Sequence, residues 1–406
     1  MLVAVAALVE GASFAFFTTF RSRFRFYDLG DYLLRPNELE RCRKSFDKDL
    51  GWIYRFDSPF GERPRARDYG RPLIATFGDS FTYGVDVRFR ETFQTYLSDL
   101  LHADVYNLGV GGYGTDQAYL RFRRDYPKLR TPIVVLGLIS ENINRTVNVY
   151  RRFYYPPTGG PMTKPRFVRE DGGRRLLPNP IQDARDVERL MDPAFLRTIG
   201  THDYWYNHAD YPVLAFPYAK ILLNPRIWHE ALAPSDRRPD DVDARPWDDL
   251  WLDPPIRELY LSILDSFVDE SKALGGLPVI LIFPRVDEVL TEFRGGDAPR
   301  VRHVLDHCAA RKYSCFDAVR VLADSAGNER DVRGFFTSHL TAGANRLVAE
   351  RFREYLLREG LLAEAESRAA AQPTTRRPET PSAGAAAPAP ADASSRRRGK
   401  AKAATA

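Results

Sequence analysis

Ala75-Thr-Phe-Gly-Asp-Ser-Phe-Thr-Tyr83 decides the fold, because it runs an apolar strand straight into a glycine turn that presents a serine. The segment Pro72-Leu-Ile-Ala-Thr-Phe77 is a short apolar run of buried-strand type, and Gly78 marks a sharp turn before a helix. Ser80 then sits at the carboxyl end of a strand and near a helix N-terminus, where backbone N–H groups face any developing negative charge. Taken alone, Gly78-Asp79-Ser80 is first of all an ordinary strand-to-helix turn with Asp79 or Ser80 as the N-cap.

Three further segments place polar residues at strand ends or before a helix. Asn107-Leu-Gly-Val-Gly-Gly-Tyr-Gly-Thr-Asp116 follows the short strand Asp104-Val-Tyr106 and reads, by itself, as a flexible turn or phosphate loop as readily as a donor loop. Pro132-Ile-Val-Val-Leu-Gly-Leu-Ile139 is a strongly apolar strand ending in Ser140-Glu-Asn-Ile-Asn144, where Asn142 reads as a helix cap or as an amide donor. Thr337-Ser-His-Leu-Thr-Ala-Gly-Ala-Asn-Arg-Leu-Val-Ala-Glu350 puts His339 just before an amphipathic helix. A serine hydroxyl near its free pKa is a poor nucleophile, so an adjacent imidazole is what the chemistry needs. Of seven histidines only His339 has this setting. His102, His202, His303 and His307 read as surface or packing residues, and His208 and His229 as these or as cleft-lining side chains.

In this order the four segments resemble the four blocks of the SGNH, or GDSL, hydrolases. The string around Ser80 is not Gly-x-Ser-x-Gly, since Thr82 takes the last position, so it is not the nucleophile elbow of an α/β-hydrolase. The resemblance implies Ser80 as nucleophile and His339 as general base. It also implies an oxyanion hole built from the N–H groups of Ser80 and Gly112 and the amide of Asn142. It spans residues 78 to 339, about two-thirds of the chain. The chain departs from the family pattern where an aspartate normally lies two or three residues before the histidine, because Thr337 and Phe336 stand there. The orienting group is left open between Asp331, a main-chain carbonyl and a bare Ser–His dyad. In the third block Glu141 stands in place of a glycine and Ile143 in place of an aspartate.

The chain of 406 residues divides by composition. Residues 2–20 are apolar except for Glu10, Gly11 and a few hydroxyl groups, and 19 residues just reach the ~20 needed to cross a bilayer. This reads as a transmembrane or signal-anchor helix, with a docking helix of a soluble enzyme as the alternative. A linker or extension over 21–70 leads to a hydrolase domain over 71–362, which holds an insert at about 145–256. From Ala363 onward the Ala-, Pro-, Ser- and Arg-rich tail has no apolar periodicity and is expected to be disordered. That tail carries +4 of the formal net charge of +5, so the body offers no basic face and nucleic acid is not a partner. Three cysteines are too few for a disulfide scaffold, although Cys308 and Cys315 are spaced to pair in an oxidising space. No His/Cys cluster has metal spacing and no nucleotide motif follows a strand, so neither metal nor cofactor is expected.

Strands at 72–78, 104–108, 132–139, 277–283 and 313–316 alternate with helices at 91–102, 115–127, 297–311 and 340–358. This predicts an α/β fold with a doubly wound, mostly parallel sheet; the resemblance makes it flavodoxin-like with a large aromatic-rich insert. Residues 150–180 are expected to form a cap beside Ser80, with the aromatic side chains serving either as packing or as platforms for sugar rings. The resulting reading is a serine-dependent esterase acting on O-acyl, above all O-acetyl, esters of a cell-envelope or exopolysaccharide glycan or a related acylated small molecule. Its domain is expected outside the cytoplasm, tethered to a membrane, with a soluble cytoplasmic enzyme as the alternative. An acyltransferase using the same site and a catalytically silent glycan-binding subunit are the competing readings.

Overall fold

Five apolar segments generate the architecture. In the computed structural model, which describes residues 2–20, 29–156, 158, 160–170, 173–207, 216–225, 227–228 and 250–371, they form one parallel sheet. The strands are β1 (Pro72–Gly78), β2 (Asp104–Gly109), β3 (Ile133–Leu138), β4 (Leu277–Ile282) and β5 (Cys315–Asp317), in the spatial order β2-β1-β3-β4-β5. Every residue of β2, β3 and β4 is buried, which is why Ile133–Leu138 and Leu277–Ile282 read as unbroken apolar runs rather than alternating ones. The order reverses beside β1, and in open sheets of this kind ligands bind outside the carboxyl ends of the strands at that reversal.

Helices cover both faces. The labels used below are α1 (Leu2–Thr19), α2 (Ser80–Tyr83), α3 (Phe93–Leu101), α4 (Thr115–Leu129), α5 (Asn142–Thr146), α6 (Arg151–Tyr154), α7 (Pro254–Ala273), α8 (Val286–Phe293), α9 (Ala342–Arg358) and α10 (Leu361–Ala371). Successive residues of β1 face opposite ways. Phe77 meets Phe122 of α4 with ring centroids 5.7 Å apart, while Thr76 accepts a hydrogen bond from Gln94 of α3 at 3.1 Å. On the first face α4 packs on α7 through Phe122 and Phe267, and on the second α3 packs on α9 through Phe93 and Phe352.

Several sequence expectations need correction. Of the linker or extension expected over 21–70, the described residues 29–70 form a packed extension: Leu34, Cys42, Leu50 and Trp52 are buried in the main core, and Trp52 Nε1 donates to the Gly111 carbonyl at 3.0 Å. The expected disorder from Ala363 is displaced, because α10 continues to Ala371 and buries Leu361, Leu362 and Ala365; the tail beyond it lies outside the described residues. A spanning helix over residues 2–20 is not found, since no helix among the described residues is long and apolar enough to cross a membrane. Instead the Glu10 carboxylate of α1 accepts the N–H groups of Tyr218 and Ala219, and Phe17 packs with Ile221 and Ile227. The polar residue that interrupts the apolar run therefore caps another segment of the protein.

The insert contains a hairpin of strands Arg166–Glu170 and Gly173–Leu177 and leads into a long helix, α7. Of the cap expected over residues 150–180, Arg151, Tyr154 and Tyr155 do line the cavity beside Ser80, whereas the hairpin does not. Arg174 reaches Ser262 and Ser266 on α7, and Phe167 packs on Tyr119, which ties the hairpin to the helical layer. Tyr150, Phe153, Tyr154 and Trp205 are buried packing residues. Cys308 and Cys315 are free thiols lying side by side, and the hydrogen bond that the Cys315 S–H donates to Cys308, with burial, pushes the Cys315 thiol well above its ordinary range.

Candidate active site

The turn after β1 is held by close approach. Gly78 does not adopt a positive φ; a β-carbon there would lie 2.0 Å from Thr82 Oγ1 and 2.6 Å from the Gly137 carbonyl. Gly109, its neighbour in register on β2, would place a β-carbon 2.4 Å from the Tyr83 nitrogen. β1 and β2 thus end in glycines, and Gly137 lies one residue before the end of β3, which together let the four-residue α2 settle directly on the sheet edge. Asp79 caps this helix by accepting the Phe81 N–H at 2.8 Å. Ser80 is its first residue, so the Ser80 N–H has no acceptor within the helix.

Folding brings His339 to this turn from 259 residues away, with Nε2 at 2.8 Å from Ser80 Oγ. Phe81 supports the imidazole at a ring separation of 4.7 Å. The carboxylate beside this histidine belongs to Asp86, a residue that no motif in the chain singles out. Asp86 Oδ1 lies 3.6 Å from His339 Nδ1, a charge contact rather than a hydrogen bond. Asp86 Oδ2 accepts the N–H groups of Ser338 and His339 at 2.9 and 2.8 Å and the Ser338 hydroxyl at 2.8 Å. The Ser338 hydroxyl lies 3.0 Å from Nδ1, so the acid reaches the ring through Ser338 as well as directly. Burial works to raise the Asp86 pKa, but the His339 imidazole and the Thr337 hydroxyl outweigh it and hold the carboxyl well below the usual carboxylate range.

Asp331 is placed elsewhere. Its carboxylate accepts from Gly327 N and Asn328 Nδ2, both at 3.0 Å, within the turn that starts the helix Glu329–Gly334. The short spacing to the histidine is spent on that local turn, and the acid never reaches the ring. Among the other histidines, His303 stacks on Trp251, and His307 lies 2.7 Å from Asp265. His208 and His229 lie outside the described residues.

The two remaining oxyanion candidates are differently engaged, and of the two Asn142 touches the serine turn, through Asp79. Gly112 has φ +81° in a tight turn closed by Tyr113 N donating to the Val110 carbonyl, a backbone conformation that favours glycine. A β-carbon on it would lie 3.9 Å from Arg151 Nε. Asn142, at the start of α5, donates its Nδ2 to Asp79 Oδ2 at 2.8 Å, which uses one of the two amide hydrogens. Among the described residues its buried Oδ1 has no hydrogen-bond partner.

Ser80 and His339 line a cavity of about 240 Å³ whose other walls carry Glu141, Arg145, Arg151, Arg285, Tyr154 and Tyr155. Glu141, which takes the place of the family's glycine, pairs with Arg145 at 2.8 Å and faces Arg285 at 3.6 Å. Burial opposes its ionisation, but Arg145, Arg285 and Arg151 prevail and lower its pKa to about 2. Among the described residues no group of three or more His, Cys, Asp or Glu side chains is arranged to hold a metal ion.

No family model matches this chain, and no curated protein matches its sequence. Solved structures with which it shares similarity include TesA, at 10% identity over 70% of this chain and 97% of that one, with a TM-score of 0.35. A member of the lipolytic protein G-D-S-L family from Veillonella parvula aligns at 11% identity over 70% and 96% of the two chains, with a TM-score of 0.34. The psychrotrophic esterase EstA from a Pseudoalteromonas species aligns at 8% identity over 71% and 98%, with a TM-score of 0.33.

Proposed function

We propose that this protein is a serine-dependent ester hydrolase. Ser80 Oγ bonds to the acyl carbonyl carbon as its proton passes to His339 Nε2, and the alcohol leaves carrying that proton. Water, deprotonated by the same nitrogen, then cleaves the acyl-enzyme and returns Ser80. The developing oxyanion is assigned to the N–H groups of Ser80 and Gly112 and the second amide hydrogen of Asn142. Asp86 holds His339 in orientation and favours the imidazolium that forms. The observation that carries the reading is the 2.8 Å contact between Ser80 Oγ and His339 Nε2 in the wall of a cavity. At about 240 Å³ that cavity lies below the ~300–1,000 Å³ typical of drug-sized ligands, which supports a short acyl group such as acetyl.

A glycan O-acyl ester as substrate, transfer of the acyl group to a sugar hydroxyl instead of water, and a place outside the cytoplasm belong to the same proposal. The last of these rests on the apolar residues 2–20 alone. The silent-subunit reading took its support from a missing acid, and Asp86 beside His339 removes that support. The test is hydrolysis of p-nitrophenyl acetate: Ser80→Ala is expected to lose at least ~10³-fold in kcat/KM without loss of folded structure. Retention of a tenth of the wild-type rate would point to a different nucleophile.

A further inference from the structure

Resting on the ester-hydrolase reading above, we infer that the cavity beside Ser80 recognises an anionic group, a carboxylate or comparable oxyanion, on the ester, and that Arg151 is the residue that binds it. Three guanidinium groups line the cavity, and Glu141 is the one carboxylate among the lining residues. Glu141 is already shared, pairing with Arg145 at 2.8 Å and facing Arg285 at 3.6 Å, while Arg285 also has Asp287 at 3.4 Å. Arg151 differs: among the described residues its Nη1 is buried with no hydrogen-bond partner. Its guanidinium carbon lies 5.4 and 5.9 Å from the ring centres of Tyr154 and Tyr155, and the Glu141 carboxylate acts on it at longer range, beyond hydrogen-bond contact. Burial and the neighbouring Arg145 lower its pKa to about 10, which leaves it cationic at neutral pH.

A buried cationic donor without an acceptor is unfavourable, and an oxyanion on the ligand supplies that acceptor. The guanidinium fork suits a carboxylate or phosphate-type group, and stacking on the tyrosines fixes its plane. The short helix that carries Arg151 is firmly anchored. Arg151 N donates to the Met162 carbonyl at 3.1 Å, and the adjacent Arg152 grips both oxygens of Glu38 at 2.7 and 2.8 Å. Arg151 is thus a preformed site next to the reacting serine, matched to esters that carry negative charge within a few bonds of the carbonyl, such as acylated sugar acids or other acylated hydroxy acids.

The experiment compares two esters of equal shape, 3-acetoxybenzoate and 3-acetoxybenzamide, on the full chain, and reads the ratio of their kcat/KM values. The wild type is expected to favour the benzoate at least tenfold. Arg151→Gln is expected to collapse that ratio by tenfold or more, and Arg151→Lys, which keeps charge but not the fork, to fall between. Thermal melts check folding, and where Arg151→Gln melts early the wild-type and Arg151→Lys ratios decide. Hydrolysis of both esters with a ratio near one, or a ratio that Arg151→Gln and Arg151→Lys leave unchanged, overturns the anion site and leaves the hydrolase reading standing. Calorimetric binding of 3-hydroxybenzoate to the Ser80→Ala protein separates the converse. If the wild type hydrolyses neither ester, yet 3-hydroxybenzoate binds and loses tenfold in affinity when Arg151→Gln is added, the hydrolase reading falls and the anion site stands. Absence of binding in that case overturns both.

Discussion

The acid that faces the Ser80–His339 pair comes from the loop just past the serine, not from the segment before the histidine. Asp86 sits two residues beyond the left-handed Gly84 that ends α2, and 253 residues separate it from His339. Its bonds to the Ser338 and His339 main chain fix the whole loop in front of Ser80. Asp86→Asn is therefore expected to lower kcat on p-nitrophenyl acetate by about 10²-fold or more with little change in KM, since orientation of the imidazole matters most in the transition state. Asp331→Asn should keep more than half of the wild-type rate, and the reverse ranking of the two variants would contradict the geometry. The pairing of Ser80 and His339 came from the resemblance of the four segments to the SGNH hydrolases, while Ser80 was legible where an apolar strand gives way to a turn and His339 as the histidine just before an amphipathic helix. Asp86 was not, because an acid in a Gly-Val-Asp loop has no periodicity around it and acquires its role only through a long-range contact. Arg151 was hidden in the same way, inside a run of Tyr and Arg that reads as packing.

At the scale of elements, the joint between the sheet and the serine turn explains the glycines better than turn formation does. Gly78, Gly109 and Gly137 all lie where a β-carbon would strike α2 or a facing chain, so they measure how closely the serine approaches the sheet. The neighbouring joint between β3 and α8 contains a buried acid, Glu288, bonded to the Ser140 hydroxyl and accepting the Arg285 N–H at 3.3 Å. Burial, with Asp287 adding to it, raises the Glu288 pKa to about 7. A carboxyl whose pKa is raised on folding holds its proton more tightly in the native state, so its contribution to stability falls as pH rises from about 4.5 to about 7. The full loss is on the order of 3 kcal/mol above that window. Glu288→Gln removes this titration. The melting temperature of the variant relative to wild type should therefore climb between pH 4.5 and pH 8. A difference that stays flat or falls would show that Glu288 is ionised in the native state throughout.

For the whole molecule, the parallel sheet was readable because its strands β3 and β4 are buried on both faces and so appear as continuous apolar runs at the expected places. The insert was not, since the Arg166–Leu177 hairpin carries a mixed pattern resolved only by what it packs against, and so does α7, the helix that follows the insert with seven buried side chains. Likewise the apolar N-terminal run gives no sign in sequence that Glu10 caps a distant segment. What the fold accomplishes is to bring the turn after β1, the loop at Asp86 and the segment before α9 to one place at the carboxyl edge of the sheet. The most direct measurement of that claim is labelling of the full chain with a fluorophosphonate probe, followed by mass spectrometry of the modified peptide. The account predicts a single adduct on Ser80 in the wild type, absent in Ser80→Ala and slowed at least a hundredfold in His339→Ala. Labelling that persists in Ser80→Ala, or that proceeds at the wild-type rate in His339→Ala, would contradict it.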